Sequence, residues 1–221
     1  MIVRDLGQMP YRDAWAEQQR VHEAVVGGAE EQLLLVEHPP VVTLGRRPDV
    51  VRNLISTPEQ LAARGVELVE TDRGGDVTFH GPGQLVAYPI VRLIDHQLSV
   101  GGYVHRLEDA IVSALGNLGI PGHRDACAVG VWVKPTDDQP AAKVAAIGVR
   151  VRQGATLHGL ALNVTTDLAF FDLIIPCGLK NRPVTSIQRL LSPQEVSITR
   201  VKRVLADRLT AVFQGTPSAV G

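Results

Sequence analysis

The chain has 221 residues, 45% of them apolar, and its charges nearly balance to a formal net charge of -1. That length builds one substantial hydrophobic core without forcing a second, and the charge gives no global attraction to nucleic acid or to an anionic membrane surface. Its two cysteines, Cys127 and Cys177, stand far apart and lack the paired spacing of a zinc site or a redox CxxC, so neither a disulfide framework nor a metal centre is expected.

The opening MIVRDLGQMPYRDAW puts acidic residues where a signal peptide needs its apolar run, and no later stretch approaches the length of a membrane span. The expectation is a reducing cytoplasm, in which a free thiol persists as a reagent. Tyr11, Ala14, Trp15, Gln18, Val21 and Val25 follow a helical stripe that predicts a helix over about 11–26, ended by Gly27-Gly28. Leu33 to Val36 and Val41 to Leu44 read as two successive strands, broken by Pro39-Pro40, whose missing amide protons cannot continue a ladder. Thr57-Pro58-Glu59-Gln60 supplies a capping hydroxyl, a first-turn proline and a capping-box glutamine, so a short helix should start at Thr57 and stop by Gly65.

After Val66 to Val69 comes the glycine-rich RGGDVTFHGPGQ, then a strand-like Leu85 to Ile90. Tyr103, Leu107, Ala110, Ile111, Ala114, Leu115 and Leu118 mark a second long helix, with Gly119 as its stop. Strands are expected over Val129 to Val133, Val144 to Val151 and Thr156 to Val164, the last two joined as a hairpin through Arg152-Gln153-Gly154. A third long helix runs from about Ile198 through Val212. Residues 215–221 read as a frayed tail, leaving 1–214 as one domain. The short connections between neighbouring strands predict an α/β (α+β) fold with a mixed sheet covered by helices, not a doubly wound parallel sheet. Neither GxxxxGK[ST] nor a strand-linked GxGxxG occurs.

Four segments can carry chemistry. Arg73-Gly74-Gly75 and His80-Gly81-Pro82-Gly83 let the backbone approach a ligand closely, although a tight turn between strands reads equally well. Cys177 sits between Pro176 and Gly178 after an apolar run, which would present its thiol at a corner with amide protons facing an oxyanion; a lone cysteine is more often a small buried hydrophobe. Lys143 heads the apolar run Lys143-Val144-Ala145-Ala146-Ile147-Gly148-Val149, where its side chain either favours the thiolate of a neighbouring cysteine or reaches past the strand end to water. His158 follows the hairpin and can orient groups in a pocket, whereas a Cys/His/Asn arrangement with Asn163 is disfavoured because both lie on one local segment. Cys127 reads as structural.

Taken together, RGGDVTFHGPGQLVAYPI, KVAAIGVRV, HGLALNV and PCG occur in the order and approximate spacing of the lipoyl(octanoyl) transferases, and the chain resembles that family over most of its length. The resemblance implies the α/β fold of the biotin and lipoate protein ligase catalytic domain. It also implies octanoyl transfer from octanoyl-acyl carrier protein to a lysine of lipoyl domains, those of the 2-oxoacid dehydrogenase complexes and the glycine cleavage H protein, without ATP; a monomer without cofactor or metal is the default expectation. By matching position, Cys177 would carry the acyl-thioester and Lys143 would tune the thiol and handle protons. The acyl pocket would include Arg73, Gly74, Gly75, Asp76, Val77, Thr78, Phe79 and His80, together with Ala146, Ile147 and Gly148, and Gly159, Leu160 and Ala161. Phe79 stands where the family commonly has tyrosine, and Val144 where isoleucine is common.

Rival readings are an ATP-dependent lipoate or biotin ligase, which would not require Cys177, a thioesterase, and a non-catalytic acyl or carrier-protein binding module. The basic groups Arg46-Arg47, Arg150-Arg152 and Arg200-Lys202-Arg203 read first as solvated faces, although each is of a kind that docks an acidic carrier.

Overall fold

The computed structural model describes residues 1–134, 138–176 and 182–214. The chain starts with β1 (Ile2–Gln8), followed by α1 (Tyr11–Val26), β2 (Gln32–Glu37), β3 (Val41–Leu44) and a 3-10 turn at Val50–Asn53. Next come α2 (Pro58–Ala63), β4 (Glu67–Glu70), β5 (Thr78–His80), β6 (Gln84–Ile90) and α3 (Val100–Gly116). The second half holds β7 (Gly122–Arg124), β8 (Val131–Val133), β9 (Ala142–Arg152), β10 (Ala155–Asn163), a 3-10 turn at Leu168–Leu173, α4 (Ile187–Leu191) and α5 (Ile198–Gln214).

The strands form a seven-stranded sheet in the order β1-β2-β6-β10-β9-β8-β7 and a three-stranded sheet in the order β4-β3-β5. Both are mixed: β1 runs parallel to β2 and β3 parallel to β4, while the remaining pairs are antiparallel. β2 and β3 adjoin in sequence but not in a sheet. Pro39-Pro40 interrupts the ladder, and the chain passes there from the large sheet to the small one.

Strand alternation explains the two layers of the core. Leu34 and Val36 of β2, with Val86, Tyr88 and Ile90 of β6, point to one face, where they pack on Ala14, Val21 and Val25 of α1. Leu33, Leu35, Leu85 and Ala87 point to the other face and meet α3 and α5 through Leu107, Ile111, Leu205 and Leu209. Burial on both faces is the reason β2 and β6 read as continuous apolar runs.

Local signals act where they were expected. In α2 the Thr57 hydroxyl accepts from the Gln60 amide (3.3 Å), and the Gln60 side chain accepts from the Thr57 amide (2.9 Å). The β9–β10 turn places Gln153 and Gly154 at φ of 50° and 78°, matching the twist of a tight hairpin. β5, β7 and α4 escape a reading by periodicity, because strands of three residues and a five-residue helix carry too few periods to register, and β1 escapes it because its seven residues are mostly exposed.

Candidate active site

The α1 face of the large sheet is hollowed by its own small residues. Ala161 of β10 lies opposite both Val86 of β6 and Ala146 of β9, and Gly159 lies opposite Gly148. Glycine is required at both of the latter positions. A Cβ on Gly159 would sit 2.2 Å from the Ala87 carbonyl oxygen, and one on Gly148 would sit 2.8 Å from that of Gly74. The second approach lets the 73–76 loop lie directly on β9, where the Gly74 amide donates to the Val149 carbonyl (2.9 Å).

The result is a cavity of about 60 Å³ between the sheet and that loop. Arg73, Gly75, Asp76, Val77, Thr78 and His80 form one wall, and Ala146, Ile147, Gly148, Gly159, Leu160 and Ala161 form the floor. Gly74 and Phe79 do not line it. On β5 the side chains alternate, so Thr78 and His80 face the cavity while Phe79 turns away and stacks on Phe170 (centroids 4.8 Å apart).

One end of the cavity is closed by aromatic and imidazole rings. The Tyr11 ring stacks on His80 at 5.8 Å, and His38 packs edge-on against the same imidazole. His80 Nδ1 donates to the Gln84 side chain (2.7 Å), whose Nε2 donates to Asn163 (2.9 Å) and to the Phe79 carbonyl. His38 donates from Nδ1 to the Met9 carbonyl, leaving Nε2 to accept from Tyr88 (2.8 Å). Burial holds both imidazoles neutral, depressing His38 to about 4 and His80 to about 3. Burial also raises Tyr11 to about 12.

His158 completes this end in a conformation uncommon for a non-glycine residue, with φ at 58° inside β10. Its amide leaves the ladder to donate to the Gln18 side chain of α1 (2.8 Å), and Nε2 donates to Asp72 (2.6 Å), which also pairs with Arg150. The hydrogen bond from His158 is the main reason Asp72 is held below the usual carboxylate range, whereas burial outweighs Asp72 and lowers His158. These contacts tie the start of the glycine loop to the sheet. Arg73 is anchored as well, donating to the Thr43 carbonyl (2.7 Å) and hydroxyl.

The other end adjoins a second cavity that shares Thr78, Ala146 and Ala161 with the first and is also lined by Gln84, Lys143, Asn163, Phe171 and Pro176. Lys143 does not reach for solvent. It is 5% exposed, its Nζ donates to the Val129 carbonyl (3.0 Å), and it lies 4.8 Å from the centre of the Trp132 ring, its cross-strand partner. Pro176 borders the same space. Cys177 and Gly178 fall outside the described residues, as does the 215–221 tail. Cys127 is exposed in the β7–β8 loop.

Sequence reasoning did not single out Tyr11, Val86 or Tyr88 as lining residues. The first appeared only as a member of a helical stripe, and the others as members of an apolar strand. Among the described residues no group of His, Cys, Asp and Glu is placed to hold a metal ion, and no helix is long and apolar enough to cross a membrane.

Residues 10–210 match the lipoyl protein ligase A/B catalytic domain. Solved structures share the fold. The bi-partite lipoate protein ligase of Thermoplasma acidophilum superposes with a TM-score of 0.74 at 17% identity, covering 96% of this chain and 82% of that one. The biotin protein ligase of Aquifex aeolicus superposes with a TM-score of 0.53 at 12% identity, covering 96% and 68%. Among curated proteins, the octanoyltransferase of Koribacter versatilis is 44% identical over 96% of this chain and 84% of its own length. That of Chloroflexus aurantiacus is 45% identical over 98% and 96%. The chain therefore belongs to the octanoyltransferases, a family of acyltransferases built on this catalytic domain.

Proposed function

We propose that this chain, acting as a single domain over 1–214, carries an octanoyl group from octanoyl-acyl carrier protein to a lysine of lipoyl domains through a thioester on Cys177. The carrying observation is that Lys143, buried at 5% exposure, lines the same cavity as Pro176, the residue bonded to Cys177. A lysine Nζ at that place handles protons for a thiol presented one residue further on. The octanoyl tail occupies the trough over Gly148, Gly159 and Ala161, where small side chains leave apolar room.

In the first half-reaction the Cys177 thiolate attacks the donor carbonyl, the carrier thiolate departs, and Lys143 supplies its proton. In the second, the neutral acceptor lysine attacks the acyl-enzyme, an amide forms as the attacking nitrogen gives its proton to the now neutral Lys143, and Cys177 is released as the thiolate. Exchange of one thioester for another is nearly balanced, and the amide is the more stable product, so no nucleotide is consumed. Lipoyl domains of 2-oxoacid dehydrogenase complexes and the H protein of glycine cleavage are the acceptors. An E2 lipoyl domain is the companion of the Thermoplasma ligase, which supports that reading.

Intact mass measured after incubation with octanoyl-acyl carrier protein tests the mechanism. Wild type should gain one octanoyl group, mapped to Cys177 and discharged onto an added lipoyl domain without ATP, and Cys177→Ser should gain none. Transfer that persists in Cys177→Ser but needs ATP would replace this reading with a ligase.

A further inference from the structure

The segment from Arg46 to Ile55 joins the cavity wall to the stretch that leads into Cys177. On one side the amides of Arg46 and Arg47 donate to the carbonyls of Arg73 (3.0 Å) and Gly75 (3.2 Å), and Asn53 donates to both oxygens of Asp76 (2.9 Å each). On the other side the Ile175 amide donates to the Asn53 carbonyl (2.7 Å) and the Ile55 amide to that of Leu173 (3.0 Å). Ile55 and Pro176 border one surface cleft. The segment is thus part of the rim past which a donor must approach.

Its outer face combines charge with apolar surface. Arg46, Arg47 and Arg52 are exposed, and between them and beside them stand Val51 and Ile55, 62% and 60% exposed. Arg47 reaches the buried carboxylate of Asp76 at 3.4 Å, and Arg52 faces Asp49 at 3.6 Å with both side chains in solvent, so the patch keeps a positive balance in a chain whose net charge is -1. Aliphatic groups ringed by arginines have the composition of a protein interface.

Charge decides between the two protein substrates. The acceptor brings a lysine, which a cationic rim repels, whereas an acidic carrier is attracted by it. A carrier also delivers its thioester on a long arm, so its body can rest on the rim while the acyl group enters the cavity. We infer that Arg46–Ile55 is the docking surface for an acidic acyl carrier protein, with Arg46, Arg47 and Arg52 facing carboxylates of the carrier and Val51 and Ile55 buried at the centre of the contact. This rests on the donor assignment above.

The test compares R46E/R52E with wild type using octanoyl-acyl carrier protein, and using octanoyl-phosphopantetheine, which keeps the arm and its phosphate but lacks the protein. The double variant should raise KM for the carrier by about tenfold or more. It should leave kcat, the KM for the lipoyl domain and the rate with the small donor unchanged. An unchanged carrier KM, an equal loss with octanoyl-phosphopantetheine, or a rise in the lipoyl-domain KM instead would each overturn the proposal. If the variant does not fold, the wild type still decides: kcat/KM with the carrier should fall as salt rises, and a flat response would overturn it. A wild type inert toward a verified octanoyl-carrier would remove the donor assignment itself. An active wild type with unaffected variants would remove the docking surface alone.

Discussion

The two ends of the cavity are built on opposite principles. At the Tyr11–His158 end, rings stack on rings and each imidazole is held by named partners, so burial suppresses charge and leaves a rigid wall. At the Lys143 end, an amino group is buried against a backbone carbonyl and the face of an indole, next to the residue that precedes Cys177. In the proposed mechanism the first end determines shape and the second carries reactivity. They meet at Thr78, Ala146 and Ala161, which belong to both.

The largest effect should come from the reactive end. Lys143→Met keeps most of the side-chain volume and removes Nζ, and the rate of acyl-enzyme formation, followed by rapid-quench mass spectrometry, should fall roughly 10²- to 10⁴-fold with the fold retained by circular dichroism. A rate near wild type would erase the distinction between the ends.

Acid should act on the other end. His38 and His80 titrate at about 4 and about 3 in the folded chain and near 6.5 when unfolded, so the unfolded chain binds more protons between those values. Stability is therefore level above pH 6.5 and drops toward pH 4, by up to about 1.4 kcal/mol per pH unit for each histidine. Urea midpoints at pH 7 and pH 5 read this directly. Equal midpoints would mean that the two rings are not held neutral.

Gly159→Ala drives a methyl group into the Ala87 carbonyl and should cost about 1–3 kcal/mol in urea unfolding. A neutral result would show that β10 and β6 can part at the floor of the trough. The smallest change belongs to Tyr11→Phe. The hydroxyl meets His158 only at 3.5 Å, so its loss should shift stability by less than about 1 kcal/mol and turnover hardly at all. A large fall in turnover would move the reacting atoms toward the aromatic end.

Much of the fold was legible because its signals are local. The helical stripe marked α1 at Tyr11–Val26, and Thr57 with Gln60 marked the start of α2. Gln153-Gly154 marked the β9–β10 hairpin through a backbone conformation that few residues accept. β1 went unread because an exposed edge strand such as IVRDLGQ buries too little to impose a clear alternation. The change of sheet between β2 and β3 was hidden too, since Pro39-Pro40 announces a break but not a destination.

The order of the motifs in the chain was enough to point to the family and to single out many of the residues that line the cavity, though it included Gly74 and Phe79, which do not, and missed Tyr11, Val86 and Tyr88, which do. What the sequence by itself could not decide is that Lys143 is withdrawn from water, that Phe79 turns away from the cavity its neighbours line, and that Tyr11 and His158 close one end. Those outcomes depend on register between strands far apart in the chain, such as Ala161 opposite both Val86 and Ala146. Register is set by the burial of whole faces at once, which no local period encodes.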